Sequence, residues 1–192
     1  MENIRVILAS QSPRRRELLG ELFDSFEVVV KEVDESLDEG TVPERGVEIL
    51  AVRKGEAVAK EMPDALVISS DTLVELDGVP LGKPRDEAHA REMLADLSGK
   101  AHRVHTGVAV HYRGRVLSGV DTTAVFFREI SPGEIREYVA GGEPMDKAGA
   151  YGIQGEGGKF VRKIRGDFDT VVGLSCRLCR ELIEKITEVS GD

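Results

Sequence analysis

A mixed α/β or α+β fold, with a mixed sheet flanked by helices, is predicted by three features of the 192-residue chain. Short apolar runs of strand length alternate with segments whose apolar residues recur at helical spacing. Some strand candidates are joined by tight turns and others only through helices, so the sheet needs both antiparallel and parallel neighbours. Hydrophobic residues make up 41% and charged residues 32% of the chain, enough for a core and too regular a mixture for disorder.

Residues 4–9 read as a buried strand, followed by a polar turn and a helix from Pro13, where proline at the first helical position has no N–H to waste. A second strand over 26–30 leads into an acidic loop, 32–39, too charged to bury. A helix over 44–61 carries an apolar stripe at Val47, Leu50, Ala51 and Val58, and Lys54 falls on that stripe. Residues 65–70 form a strand ending at Asp71-Thr72, and 73–81 a hairpin turning at Asp77-Gly78. Asp86 caps a helix bearing Ala90, Met93, Leu94 and Leu97, closed by Gly99. Strands over 101–112 and 116–127 meet at Gly114, and Ser131-Pro132-Gly133-Glu134 is a capping box opening a helix that stops at Gly141-Gly142. A glycine-rich loop over 149–158 leads to strands at 159–164 and 168–172 and a last helix over 175–189. With neither an internal repeat nor a linker, the chain reads as one domain, 1–192, with room for two lobes.

Composition narrows the class. No apolar run approaches the roughly 18 residues of a membrane span, and the N-terminal run is too short for a signal peptide, so a cytoplasmic protein without membrane contact is expected. The formal net charge of −9 opposes non-specific binding to nucleic acid, and a polyanionic ligand would need a local basic pocket. Cys176 and Cys179 form C-x-x-C without a second Cys or His pair nearby, and read as reduced helix residues.

Four places could carry chemistry. Ser10-Gln11-Ser12-Pro13-Arg14-Arg15-Arg16 lies between a strand and a helix N-terminus, where backbone N–H groups, hydroxyls and guanidinium forks make an anion site; the alternative is a helix start with solvated arginines. Lys54 either snorkels to the surface or has an anionic partner in a cleft, and Lys83, in a Gly-Lys-Pro turn, is open in the same way. Asp71, at a strand end, suits a divalent cation or a proton from water, or merely caps its turn; Asp34 and Glu35 in the acidic loop offer further oxygen ligands, the alternative being a solvated charged surface. In 146–155 the glycines let backbone approach a ligand closely, and Gln154 is one of only two glutamines in the chain; a structural turn is the alternative. His102 and His105 point to opposite faces of their strand and cannot chelate one metal; His102 shares a face with Val104, Val108 and Val110, as a packed, hydrogen-bonded residue would.

Together these segments resemble the Maf family of nucleoside triphosphate pyrophosphatases. The matching stretches are Leu8-Ala9-Ser10-Gln11-Ser12-Pro13-Arg14-Arg15, Ser70-Asp71-Thr72, Gly82-Lys83-Pro84, Leu97-Ser98-Gly99 with His102-x-Val104-x-Thr106, and Lys147-Ala148-Gly149-Ala150-Tyr151-Gly152-Ile153-Gln154-Gly155. They occur in the family's order, the likeness runs from Leu8 to Leu174, and the Ile-Gln-Gly ending resembles the branch acting on dTTP and UTP. Ser70 departs from the Ala that commonly precedes Asp-Thr.

The resemblance implies an elongated mixed-sheet fold like that of inosine triphosphate pyrophosphatases, with the nucleotide in a central cleft between two lobes. It implies that Asp71 accepts a proton or holds metal, that Ser10, Ser12, Arg14 and Arg15 cradle the triphosphate, and that Lys54 and Lys83 are cationic walls. Thr72 and Gln154 would set base preference, and Mg²⁺ or Mn²⁺ would be held by Asp71 with Glu35 or Asp34. The expected activity is hydrolysis of dTTP or UTP to the monophosphate and pyrophosphate, cleansing nucleotide pools. Two rivals stand beside it: the same chemistry on modified pyrimidine triphosphates, and a nucleotide-binding regulator of septum formation. A homodimer is left open.

Overall fold

The computed structural model describes residues 4–188. Seven strands pair in the order β2-β1-β3-β5-β6-β7, with β4 (Val79–Leu81) added to β3. β1 (Val6–Leu8) runs parallel to β2 (Glu27–Val28) and β3 (Leu66–Leu76); β4 is antiparallel to β3, and β7 (Val161–Arg165) to β6 (Arg115–Phe127). The mixed sheet expected from the sequence is therefore present. The chain divides into two compact units, the first formed by Met1–Asp71, Thr106–Asp121 and Gly173–Asp192, the second by Thr72–His105 and Thr122–Val172. The strands β3, β5 (Ala101–Tyr112) and β6 each give part of their length to both.

In the first unit the sheet is covered on both faces. Helix α2 (Pro43–Ala59) buries Val47, Leu50, Ala51 and Val58, the stripe read from the sequence, and Val58 packs with Ile7, Ala9, Ala65 and Val67. On the opposite face lies α6 (Cys176–Glu188), where Leu178 rests on Gly119 and the Cys176 thiol meets the Leu18 carbonyl of α1 (Pro13–Gly20) at 3.7 Å. Cys179 is fully buried in α6, and burial pushes its thiol up to about 12.

Helix α2 approaches the sheet more closely than side chains on both partners would allow. A Cβ on Gly107 of β5 would be driven into the backbone carbonyl of Val47, and one on Gly55 of α2 would come within 2.5 Å of both His111 and Ser69. Two glycines, one per surface, thus set the separation. The Ser69 hydroxyl donates to the Ala51 carbonyl at 2.7 Å and closes the seam.

The second unit is built on one apolar face. α3 (Glu87–Leu97) supplies Ala90, Met93, Leu94 and Leu97, α4 (Pro132–Ala140) supplies Ile135, Tyr138 and Val139, and the strands supply Val74, Leu76, Val104, Val125 and Phe127. Both helices begin as predicted: Asp86 accepts from the His89 N–H, and Ser131 and Glu134 make both halves of the capping box. His102 is packed as expected, edge-on to Phe127 and Tyr151, with Nε2 2.8 Å from the Tyr151 hydroxyl. Among the described atoms its Nδ1 has no partner, and burial lowers its pKa to about 4.

Two elements differ from the sequence reading. β3 does not end at Asp71; it continues to Leu76 because pairing with β4 carries it onward, and only the burial changes, from a buried run through Ser70 to partly exposed at Asp71. Residues 168–172 are not a strand but the helix α5 (Phe168–Val172). Gly166, at φ +127°, ends β7 against Thr123, whose hydroxyl holds the Asp167 carbonyl at 2.9 Å, and Gly173, at φ +135°, stops the segment seven residues after Gly166. The alternation that would bury Phe168 with Thr170 and Val172 fails, since Phe168 is exposed. Smaller shifts put Lys159 and Phe160 in a 3-10 turn, Glu156–Phe160, ahead of β7.

Gly107→Ala is expected to lower stability by about 2 kcal/mol, the scale of overpacking against an element that must shift. An unchanged urea midpoint would contradict the tight seam. The second prediction concerns acid. His102 is held neutral when folded and titrates near its ordinary 6.5 when unfolded, so the unfolded chain binds more protons between pH 6.5 and about 4. Its contribution is complete above pH 6.5 and is lost as pH falls through that window. His102→Gln should therefore flatten the dependence of unfolding free energy on pH there by up to about 1.4 kcal/mol per pH unit; an unaltered slope would show that His102 does not supply it.

Candidate active site

The site in the first unit starts where β1 ends. Ser10 is buried, and its Oγ accepts from the Ser12 N–H at 3.2 Å and from Arg15 Nη1 at 3.3 Å. Ser12 is the N-cap of α1, its hydroxyl oxygen accepting from the Arg15 N–H at 3.4 Å. Both hydroxyls accept in these bonds and keep an O–H to donate. Arg14, Arg15 and Arg16 follow in the first turn, where the helix dipole disfavours cations unless an anion offsets them.

Arg15 shows how the molecule manages that charge. Its Nε donates to the Gly173 carbonyl at 2.8 Å, and the Ser70 hydroxyl donates to the same oxygen at 2.9 Å. Burial lowers the guanidinium from its ordinary value, Asp71 opposes this, Arg14 adds to the lowering and Glu35 opposes it. Ser70, the departure from Ala, thus joins β3 to the segment entering α6.

Lys54 has the anionic partner rather than the snorkelling alternative. Its Nζ lies 2.6 Å from Asp71 Oδ1 and 2.9 Å from Glu35 Oε1. Lys54 and Asp71 side chains are 19% and 15% exposed and Glu35 62%, so two groups are sheltered and the third comes from the surface loop. The preceding residue fastens that loop: Arg53 Nη1 donates to the carbonyls of Asp34 at 3.1 Å and Ser36 at 2.6 Å. Arg53 was not singled out from the sequence, although a second cation beside Lys54 was a visible signal. The acidic pair divides in use. Asp34 turns inward on its own loop, accepting from the Ser36 N–H at 2.9 Å and hydroxyl at 2.8 Å, which hold its carboxyl below the ordinary range, while Glu35 reaches Lys54.

The remaining candidates belong to the second unit. Thr72 is half-buried, and Lys83 and Gln154 are exposed. The Gly149 N–H donates to the Gly82 carbonyl at 3.1 Å, which brings the Gly82-Lys83-Pro84 turn and the glycine-rich segment side by side. The glycines there make close approaches to protein groups. A Cβ on Gly152 would meet Lys147 Cε at 2.7 Å, one on Gly155 Glu143 Oε2 at 2.5 Å, and one on Gly157 the Tyr138 hydroxyl at 2.6 Å. Glu143 and Tyr138 were missed by the sequence reading: Glu143 was just one acid after the Gly141-Gly142 stop, and Tyr138 one aromatic on an apolar helix face. Lys147 donates to the Glu143 carbonyl at 2.8 Å and to Asp146 at 2.7 Å.

Among the described residues, no three His, Cys, Asp or Glu side chains assemble as a ready-made metal site, and no helix is long and apolar enough to cross a membrane.

Comparison with known proteins bears on the family and the fold. The family model described as Maf-like protein matches residues 5–186. A dTTP/UTP pyrophosphatase of Moorella thermoacetica is 50% identical over 181 residues, covering 93% of each chain. Its counterpart in Bacillus velezensis is 49% identical over 170 residues, 88% of this chain and 90% of its own. Among solved structures, the Ham1 protein of Staphylococcus aureus matches in fold with a TM-score of 0.54 at 18% identity, covering 97% of this chain and 99% of its own. With the family model spanning nearly all of β1 to α6, and relatives near 50% identity along most of their length, the chain belongs to the Maf-like protein family.

Proposed function

We propose that this chain is a nucleoside triphosphate pyrophosphatase that hydrolyses dTTP and UTP between the α and β phosphates, giving the monophosphate and pyrophosphate. The observation that carries the reading is the sheltered Lys54–Asp71 pair, with Glu35 on the same ammonium, in the unit that also holds Ser10, Ser12 and the arginines of α1. The relatives named dTTP/UTP pyrophosphatase supply the substrate class.

The chemistry follows from the charges. Water must be held in line with the α-phosphorus and must lose a proton as the new P–O bond forms. Asp71 suits that role: Lys54 engages its Oδ1, leaving the other carboxylate oxygen to orient the water and take the proton. Negative charge grows on the α-phosphate and bridging oxygens, which calls for fixed cations and O–H donors. Ser10 and Ser12 would donate to phosphate, Arg14 would bind it as a fork, and Arg15 holds the Ser10 hydroxyl in place. Lys83 and Gln154 would serve the phosphates and the base.

Two carboxylates of this kind fit Mg²⁺ or Mn²⁺. Asp71 and Glu35 form an oxygen-only pair gathered on one ammonium, and a hard cation commonly takes one or two carboxylates together with substrate phosphates. Glu35 is the better member of the acidic pair, because both oxygens of Asp34 accept from Ser36. When bound, the cation would polarise the phosphate oxygens and lower the pKa of water. The products fit a role in the cytoplasmic nucleotide pool.

The direct test is a panel of nucleoside triphosphates with pyrophosphate detection in the presence of Mg²⁺ or Mn²⁺. Pyrophosphate and monophosphate from UTP and dTTP at catalytic turnover are expected; orthophosphate and the diphosphate, or no turnover, would overturn the reading. In the same assay Arg14→Ala should lower kcat/KM about tenfold or more for every base alike, since a guanidinium on phosphate carries no base information. A loss confined to one base would move Arg14 to the base site.

A further inference from the structure

The turn that carries Gln154 is anchored on both sides by one side-chain pair, and this points beyond the residues that touch substrate. The Glu143 carboxylate accepts from the Tyr138 hydroxyl at 2.8 Å, the Glu156 N–H at 2.9 Å and the Gly157 N–H at 3.2 Å. The Tyr138 oxygen in turn accepts from the Gly152 N–H at 3.1 Å. Gly152 precedes Gln154 by two residues and Glu156 follows it by two, so both ends of the five-residue turn are tied to the Tyr138–Glu143 pair. Within the turn the Gly155 N–H reaches the Gly152 carbonyl at 3.3 Å.

The chemistry of the anchor is specific. An ionised carboxylate offers only acceptors, so it can take three donors at once; an amide of the same shape cannot. Burial opposes ionisation of Glu143, but Tyr138, the two backbone N–H groups and Lys147 outweigh it, and the group stays below its ordinary value. The glycines at 155 and 157 are needed because Glu143 and Tyr138 occupy the space where their side chains would stand. The turn and its anchor are thus one fitted unit, while Gln154 itself stays exposed.

We propose that Glu143, through Tyr138 and the backbone of the 152–157 turn, is the positioning residue that sets base selectivity, because it fixes where the Gln154 amide is presented. A glutamine amide matches the N3–H and a flanking carbonyl of uracil or thymine in one orientation and cytosine in the reverse, so discrimination depends on how rigidly its backbone is held. The proposal rests on the pyrimidine triphosphate reading above.

The experiment compares kcat/KM on UTP, CTP and base-free ribose 5′-triphosphate for the wild type, Glu143→Gln and Tyr138→Phe, with folding checked by thermal melting. In Glu143→Gln an NH₂ replaces one acceptor and faces a donor, so at least one anchor opens with little change in volume. The UTP-to-CTP ratio is expected to fall at least about fivefold, the scale of one lost hydrogen bond to a charged group, while the base-free substrate changes by less than about twofold. Tyr138→Phe removes the Gly152 anchor and should shift the ratio the same way; it decides the matter if Glu143→Gln does not fold. Equal losses on all three substrates would reveal a merely structural role, and an unmoved ratio would overturn the proposal; either result leaves the pyrophosphatase reading intact. A wild type inactive on both UTP and dTTP would instead overturn that reading, and the proposal with it.

Discussion

The distance between α2 and the sheet is the constraint on which the catalytic pairing depends. Gly107 and Gly55 leave no Cβ between the two surfaces, and Ser69 bonds directly to the α2 backbone. One residue before Gly55, Lys54 is carried down beside β3, where Asp71 lies on the same strand face as Ser69. A lysine on an apolar stripe would otherwise extend its long stem toward water. Here the helix sits too low, and a carboxylate waits within 2.6 Å. A sheltered ion pair of this kind contributes little net stability, since desolvation offsets attraction. Its use is to hold two opposite charges at a fixed separation ahead of substrate.

Close backbone approach does related work in the second unit with different groups. There the glycines of the 149–158 segment meet Val74, Lys147, Glu143 and Tyr138, so the loop owes its shape to side chains of β3, of α4 and of the turns that follow α4. Tyr138 is packed edge-on to Phe160 on one side and turns its hydroxyl to the loop on the other. The same aromatic cluster holds His102 neutral, burial lowering it to about 4. A hydrophobic core and a polar loop are thus joined through single side chains with one apolar and one polar end.

Much of this was legible in the sequence. Caps, helical stripes and the Asp77-Gly78 turn act over a few residues, and α1, α3 and α4 follow their local signals. The placement of Lys54 was half legible, because periodicity put it on the buried face but could not name its partner 17 residues away. The α5 segment reads as a strand for a physical reason: three β-branched residues and a phenylalanine favour a strand only where neighbours pack both faces, and Gly166 and Gly173 leave room for a single helical turn. Glu143 was invisible because a carboxylate bonding backbone 13 residues away leaves no pattern in spacing. The glycines were noticed, but the groups they admit come from outside the motif.

Steady-state kinetics of a double-mutant cycle on Lys54 and Asp71 tests the central claim that these residues act as one unit. For UTP hydrolysis, Asp71→Asn and Lys54→Met are each expected to lower kcat/KM by about 10² or more, and the double variant to fall no further than the worse single one. Losses that multiply, near 10⁴ in the double variant, would show that the two side chains act independently and would contradict the account.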